Sequence, residues 1–362
     1  MPPANSSNLT GLDYRAEALG FAAPPVPIID VHSHINGDRA VAIYKTAREL
    51  FGVTLTYSMS QLQHAESVRR VLGDTVRFIA VPDFSGPNRA HALAEGFLEA
   101  IDRWHALGAR MVKWWCAPRG RDMGREVGDW RLLTLESPHR RGHMDHAASK
   151  GMMFMAHIAD PDTWFKTKYA DAALYGSKPD QYTHLEILGR EYRSIPWILA
   201  HMGGWPEDLD FLDDLLERHD NFYLDTSATK WMVRELSKHP RERMLAFHRR
   251  WKGRILFGSD IVTSEVHVGG PNTGGPPPGE ARSPEEAFDL YASRYWALRF
   301  QYEREGDVPS PIADPDLSLV EPTRFDAMSA PTLRGHRLDP DLLRTVYHDA
   351  AAALLNRWYE SH

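Results

Sequence analysis

Two histidines one residue apart, His32 and His34, close a short apolar run, Ile28-Ile29-Asp30-Val31. The run reads as a β-strand. Side chains alternate across a strand, so Asp30, His32 and His34 share one face. Two imidazoles on one rigid element make half of a metal site. Zinc takes about four ligands in a structural site, or three and a water in a catalytic one. The remaining donors must come from other elements, and later strand ends offer His157, His201 and Asp260.

Eight β-like runs alternate with helical stretches. The strands are expected at 27–34, 53–59, 77–83, 110–116, 152–158, 197–202, 221–226 and 254–260. Between them, 39–51, 61–72 and 89–107 carry apolar residues at three- and four-residue spacing, the helical period. Gly52, Gly73, Gly108, Gly151 and Gly253 stand between a helix and the next strand, where glycine suits a left-handed helix end. Strand–helix alternation repeated eight times predicts an α/β fold, a (β/α)8 TIM barrel. An open doubly wound sheet is the alternative, but no GxGxxG follows the first strand. In such barrels the C-terminal strand ends converge on one mouth, which would gather all five candidate ligands.

The ordered motifs resemble the amidohydrolase superfamily, in its amidohydrolase-related (type 2) branch. Ile29-Asp30-Val31-His32-Ser33-His34 is similar to the DxHxH start, and Ala200-His201-Met202-Gly203-Gly204 to the AHxGG segment of strand six. Leu224-Asp225-Thr226-Ser227 and Ile255-Leu256-Phe257-Gly258-Ser259-Asp260 resemble the last two strands. Val346-Tyr347-His348-Asp349-Ala350 resembles the closing helix, with Asp349 where an Asn is more usual. The resemblance covers most of residues 27–358 and weakens in a long insertion. It implies a metal-dependent barrel. It leaves the reaction open, because the branch includes hydrolases, lactonases and nonoxidative decarboxylases related to aminocarboxymuconate-semialdehyde decarboxylase.

The expected roles follow. His32, His34, His157 and Asp260 hold one divalent ion, with zinc the best fit and Mn2+, Fe2+ or Co2+ as alternatives. Asp260 ligates, takes a proton, or caps a following helix. His201 serves as a general base for the attacking water, or binds a second metal. Asp30 and Asp225 brace the site from behind the ligands. Lys113, inside strand four, pairs with a substrate carboxylate or with Asp225; the resemblance adds the option of a carboxylated lysine bridging two metals. Trp114, Trp115, Trp164 and Phe165 are candidates for an aromatic wall, and Arg119 and Lys166 for holding a carboxylate. The plain alternative for these six is packing of loops on the barrel. His139, His143 and His146 read as solvent-facing residues of one helix.

Long loops after strands four (117–138), five (159–180) and eight (261–338) are expected over the mouth, the last as a lid-like insertion opening on a Gly/Pro-rich stretch at 269–279. Residues 1–26 read as a flexible or draped leader, and 27–362 as a single domain. The 362-residue chain is 43% hydrophobic and 25% charged with net charge −7, which suits a globular protein and disfavours nucleic-acid or anionic-membrane partners. The lone Cys116 leaves no intramolecular disulfide. A cytoplasmic location and a homo-oligomer, with the insertion as a contact, are expectations from base rates. The reading that follows is a hydrolase acting on a lactone, ester or amide of a small molecule. A nonoxidative decarboxylase of an aromatic or unsaturated acid comes second, and a non-catalytic metal-binding barrel third.

Overall fold

Alternating apolar runs become short parallel strands. A computed structural model of the chain describes residues 5–270 and 281–362. Its strands are β1 (Ile28–His34), β2 (Val53–Ser58), β3 (Val76–Phe78), β4 (Met111–Trp115), β5 (Met153–His157), β6 (Trp197–Leu199), β7 (Phe222–Asp225), β8 (Ile255–Leu256), β9 (Ile261–Val262), β10 (Glu305–Pro309) and β11 (Thr332–His336). All eight expected strands are present. Those expected to reach residues 202 and 260 stop early. His201, Met202 and Asp260 have φ of 59°, 51° and 58°, and a left-handed residue cannot continue a strand. The five glycines named above all have positive φ; at Gly52 and Gly108, at 80° and 89°, they end the helices Arg39–Leu50 and Glu95–Ala106. The helix expected at 89–107 is broken at Ala94. That expected at the C-terminus contains wide π turns at Thr345–Asp349 and Ala352–Asn356. No helix among the described residues is long and apolar enough to cross a membrane.

The chain divides into two compact units. The first comprises Met1–Ser58, Gln63–Val76 and Thr226–Ala352. In it β1 pairs in parallel with β2 and with β9. The helix Pro284–Glu303 begins on Ser283, whose hydroxyl accepts from the Glu286 amide. Most of its residues are buried, among them Tyr291, Tyr295, Leu298 and Tyr302. This part of the segment expected as a lid is therefore core of its unit. The antiparallel hairpin β10–β11, also inside the insertion, had no counterpart in the sequence reading, and the Gly/Pro-rich stretch lies mostly outside the described residues. Residues 5–26, expected as a flexible or draped leader, are draped on the helix Pro284–Glu303 and tied down. Asn5 and Asn8 both donate to Asp289, Trp296 donates to Glu17, and a helix, Tyr14–Gly20, starts on an Asp13 cap.

The second unit comprises Met59–Leu62, Arg77–Asp225 and Ala353–His362. Here β4, β5, β6 and β7 pair in parallel in that order. Lys113 lies beside Met155, and Trp115 beside His157. One face of this sheet thus carries Lys113, Trp115, His157, Tyr223 and Asp225. The other carries Trp114, Phe154, Trp197 and Phe222, all fully buried. Both faces of a parallel sheet are normally covered, and aromatic edges do this here: Trp114 lies 5.7 Å from Phe97 and 5.3 Å from Phe154, and Phe154 5.0 Å from Trp197, centroid to centroid.

One helix reading is corrected. His143 does not face solvent. It is buried in the helix Pro138–Ser149, with its Nε2 2.8 Å from the Ala94 carbonyl and its ring 5.1 Å from Phe97. Burial lowers its pKa to about 4, and does the same to His248 and His336 in the first unit. In the unfolded chain these groups titrate near 6.5. Above that pH neither state binds the proton; between about 6.5 and about 4 only the unfolded state does. Stability is expected to fall on acidification through that window, by up to about 3 kcal/mol per histidine. Urea unfolding at pH 7 and pH 4.5 checks this. His143→Gln should lose less stability than wild type between the two, and an equal loss would count against a buried neutral histidine.

Candidate metal centre

In the first unit β1 delivers His32 and His34, and the chain after β8 delivers Asp260. Asp260 Oδ1 lies 3.3 Å from His32 Nε2 and 3.2 Å from His34 Nε2. The ligand atoms of the three residues all lie within 4.8 Å of one another. Side-chain exposure is 1% for His32, 34% for His34 and 28% for Asp260, so the group is anchored on one side and open on the other. Asp260 caps no helix; it is followed by β9.

The left-handed backbone of Asp260 is unfavourable for a residue with a Cβ. Its neighbours hold it there. The Asp260 amide donates to the His32 carbonyl at 2.8 Å. Ser259 Oγ donates to Asp30 at 2.6 Å and accepts from the Ile261 amide at 3.2 Å, so both flanks of Asp260 are pinned. Asp30 is fully buried and accepts from the His32 amide, the Ser259 amide, Ser259 Oγ and the Tyr295 hydroxyl. Burial raises its pKa to about 6, against the pull of these four donors. Ser227 Oγ lies 3.0 Å from His32 Nδ1. With the hydroxyl accepting from Nδ1–H, Nε2 keeps its lone pair on the Asp260 side, the arrangement typical behind a ligating histidine.

In the second unit His157 ends β5, and its Nε2 lies 3.0 Å from Asp160 Oδ1. Asp160 Oδ2 accepts from the Tyr169 hydroxyl at 2.8 Å. Burial, reinforced by Asp160, pushes the Tyr169 pKa well up. His201 meets His157 edge to face, with ring centroids 4.4 Å apart. A continued β6 would have put His201 on the Leu199 face. The left-handed turn at 201–202 redirects it, and the His201 amide donates to Asp225 at 3.0 Å. The loop that follows passes close to Ala159: a Cβ on Gly204 would sit 2.5 Å from its carbonyl oxygen. Lys113 is buried on the His157 face of the sheet.

The structure thus joins His32, His34, Asp260 and Asp30 in one unit, and His157, His201 and Asp225 in the other. Asp160, Tyr169, Ser227, Ser259 and Tyr295 were not picked out as site residues by sequence reasoning. Asp160 had a signal, a carboxylate three residues after a strand-end histidine, and both serines lie inside motifs already quoted. Tyr295 had none.

The proposed substrate wall fares differently. Trp114 is fully buried against Phe97 and Phe154 with the Arg140 guanidinium over its ring; strand alternation turns it away from the Lys113 face. Trp115 packs edge-on to Phe84. Trp164 and Phe165 gather around Tyr169, and Arg119 and Lys166 are exposed.

The amidohydrolase family model matches residues 40–357. The chain belongs to that family, in its type 2 branch. Its fold is the α/β barrel class expected from the strand order, and its relatives are enzymes. No curated protein matches the sequence. Among solved structures, a probable 2-pyrone-4,6-dicarboxylic acid hydrolase from Acinetobacter baumannii, with citric acid bound, is 12% identical with a TM-score of 0.41, covering 65% of this chain and 84% of its own. An amidohydrolase from Burkholderia multivorans is 12% identical with a TM-score of 0.41, covering 91% and 99%. A 5-carboxyvanillate decarboxylase from Novosphingobium aromaticivorans, complexed with manganese and 4-hydroxy-3-methoxy-5-nitrobenzoic acid, is 11% identical with a TM-score of 0.38, covering 93% and 96%.

With Trp114 fully buried, Trp114→Ala should lower the unfolding free energy by about 3–5 kcal/mol. Denaturant unfolding measures this. A variant of wild-type stability that binds substrate poorly would return Trp114 to the site.

Proposed function

We propose that the protein is a metal-dependent hydrolase that cleaves a C–O or C–N bond of a small lactone, ester or amide. The observation that supports this best is the convergence of His32, His34 and Asp260 on one point, anchored from behind and open to solvent. Two imidazole nitrogens and a carboxylate oxygen are the donor set of a three-ligand catalytic zinc site with a position left for water. Manganese, iron and cobalt accept the same donors. When bound, such an ion lowers the pKa of water towards about 7 and polarises a carbonyl.

The chain's own groups supply the rest. Ser227 fixes the His32 ring, and Asp30 fixes the backbone that carries His32 and Asp260. Asp260, partly exposed, has a second carboxylate oxygen able to receive a proton from an attacking water. His201 and His157, which meet in the second unit, are the proposed proton acceptor and metal donor of that unit.

Elemental analysis of protein purified without chelators is expected to find one divalent ion per chain, with zinc first. His34→Ala and Asp260→Ala should weaken binding by about tenfold or more. His157→Ala should lose metal if it ligates, and Lys113→Ala should retain its ion; two ions falling to one in Lys113→Ala would make that lysine a bridge. A chelator should abolish hydrolysis of a lactone and ester panel, and metal should restore it. Release of CO2 from carboxylated aromatic acids, with no hydrolysis of the panel, would replace this reading with nonoxidative decarboxylation.

A further inference from the structure

Three of the four donors to Asp30 come from the motifs that bear the candidate ligands: the His32 amide at 3.1 Å, the Ser259 amide at 3.1 Å and Ser259 Oγ at 2.6 Å. The fourth, the Tyr295 hydroxyl at 2.8 Å, comes from Pro284–Glu303, within the insertion where the family resemblance weakens. Tyr295 continues inward. Its hydroxyl lies 2.9 Å from that of Tyr44, which lies 2.8 Å from Thr56 Oγ1, and Arg48 donates to the same Thr56 oxygen at 3.2 Å. Arg48 also donates to the Thr75 carbonyl at 3.0 Å. Asp30, Tyr295, Tyr44, Thr56 and Arg48 are all buried. Arg48 Nε has no partner, but every hydroxyl of this buried chain is bonded on both sides, which holds the Tyr295 hydroxyl in one orientation.

We infer that Tyr295 is a positioning residue for His32 and Asp260, acting through Asp30; this rests on the metal-centre reading above. The Asp30 carboxylate touches neither ligand side chain. It grips the amide of His32 with Oδ1, and the residue before Asp260 with both oxygens. The carboxylate can keep those grips only while its rotation is fixed, and at 0% exposure it has no solvent contact to replace a lost donor. Asp260 then depends on it twice over, because a left-handed aspartate relaxes once its flank is released. The insertion helix, through one hydroxyl, sets the spacing between a ligand on β1 and a ligand after β8.

Tyr295→Phe isolates that hydroxyl. The ring keeps its stacking on Phe257, at 6.4 Å and 16°, so the packing is retained. Tyr44→Phe is the control, since it alters the same network one bond further out and leaves the Tyr295–Asp30 bond in place. Two readouts are taken on each protein: metal dissociation by chelator competition, and the imidazole nitrogen shifts of His32 and His34 in metal-free protein. Tyr295→Phe is expected to fold and melt close to wild type, to bind metal about tenfold more weakly, and to shift the two ring signals. With substrate in hand, kcat should fall while KM holds. Tyr44→Phe should change each much less. Ser259→Ala, which removes a different donor to the same Asp30 oxygen, should reproduce the loosening and decides the matter if Tyr295→Phe does not fold. Wild-type metal affinity and unmoved ring signals in Tyr295→Phe would overturn the inference, as would equal losses in Tyr44→Phe. If the wild type binds no metal, the metal-centre reading falls separately, and the ring signals alone decide the role of Tyr295.

Discussion

The first unit is organised around one buried carboxylate. Asp30 has no cationic partner among its hydrogen-bond donors, and burial disfavours its charge. Its four donors offset that penalty only while all are in place. Each donor belongs to a piece of chain that matters elsewhere: the His32 amide to the strand bearing two imidazoles, Ser259 to the turn bearing Asp260, Tyr295 to the helix within the insertion. Satisfying one acid thereby sets the relative positions of three distant segments. The left-handed φ of Asp260 is tolerated in this setting because Asp30 holds Ser259 on one flank and Ser259 Oγ holds the Ile261 amide on the other.

The second unit meets a related demand by sheet alternation. Its parallel strands place the buried aromatics Trp114, Phe154, Trp197 and Phe222 on one face, and Lys113, His157 and Asp225 on the other beside Trp115 and Tyr223. The aromatic face is dry and tightly interlocked, which leaves Lys113, His157 and Asp225 the face with polar company. His201 shows how a short strand can still contribute. Two consecutive left-handed residues turn the chain at its end and set one imidazole against another. Asp160 and Tyr169 then fix the His157 ring from the loop that follows its strand. The loop aromatics Trp164 and Phe165 pack on that same tyrosine, so local packing accounts for their positions.

Family membership defines the class of enzyme without choosing its reaction. Hydrolysis and decarboxylation use similar donors, and loop residues decide between substrates. In this chain several of the loop side chains that look most like substrate contacts hold the loops together.

What could be read from the sequence was local and periodic. Strand identity followed from apolar runs, and the candidate ligands His32 and His34 from alternation along a single strand. Asp260, His157 and His201 were legible as polar residues closing apolar runs. The family was legible because its motifs occur in order. What required the tertiary structure was every relation between segments far apart in the chain. Tyr295 lies 265 residues from Asp30, and no spacing rule connects a tyrosine in a mostly buried helix to an acid on the first strand. The burial of His143 escaped sequence reasoning for the same reason, and only the structure decided between packing and substrate contact for Trp114. A side chain's type limits which partners it accepts; only the folded chain determines which of them is within reach.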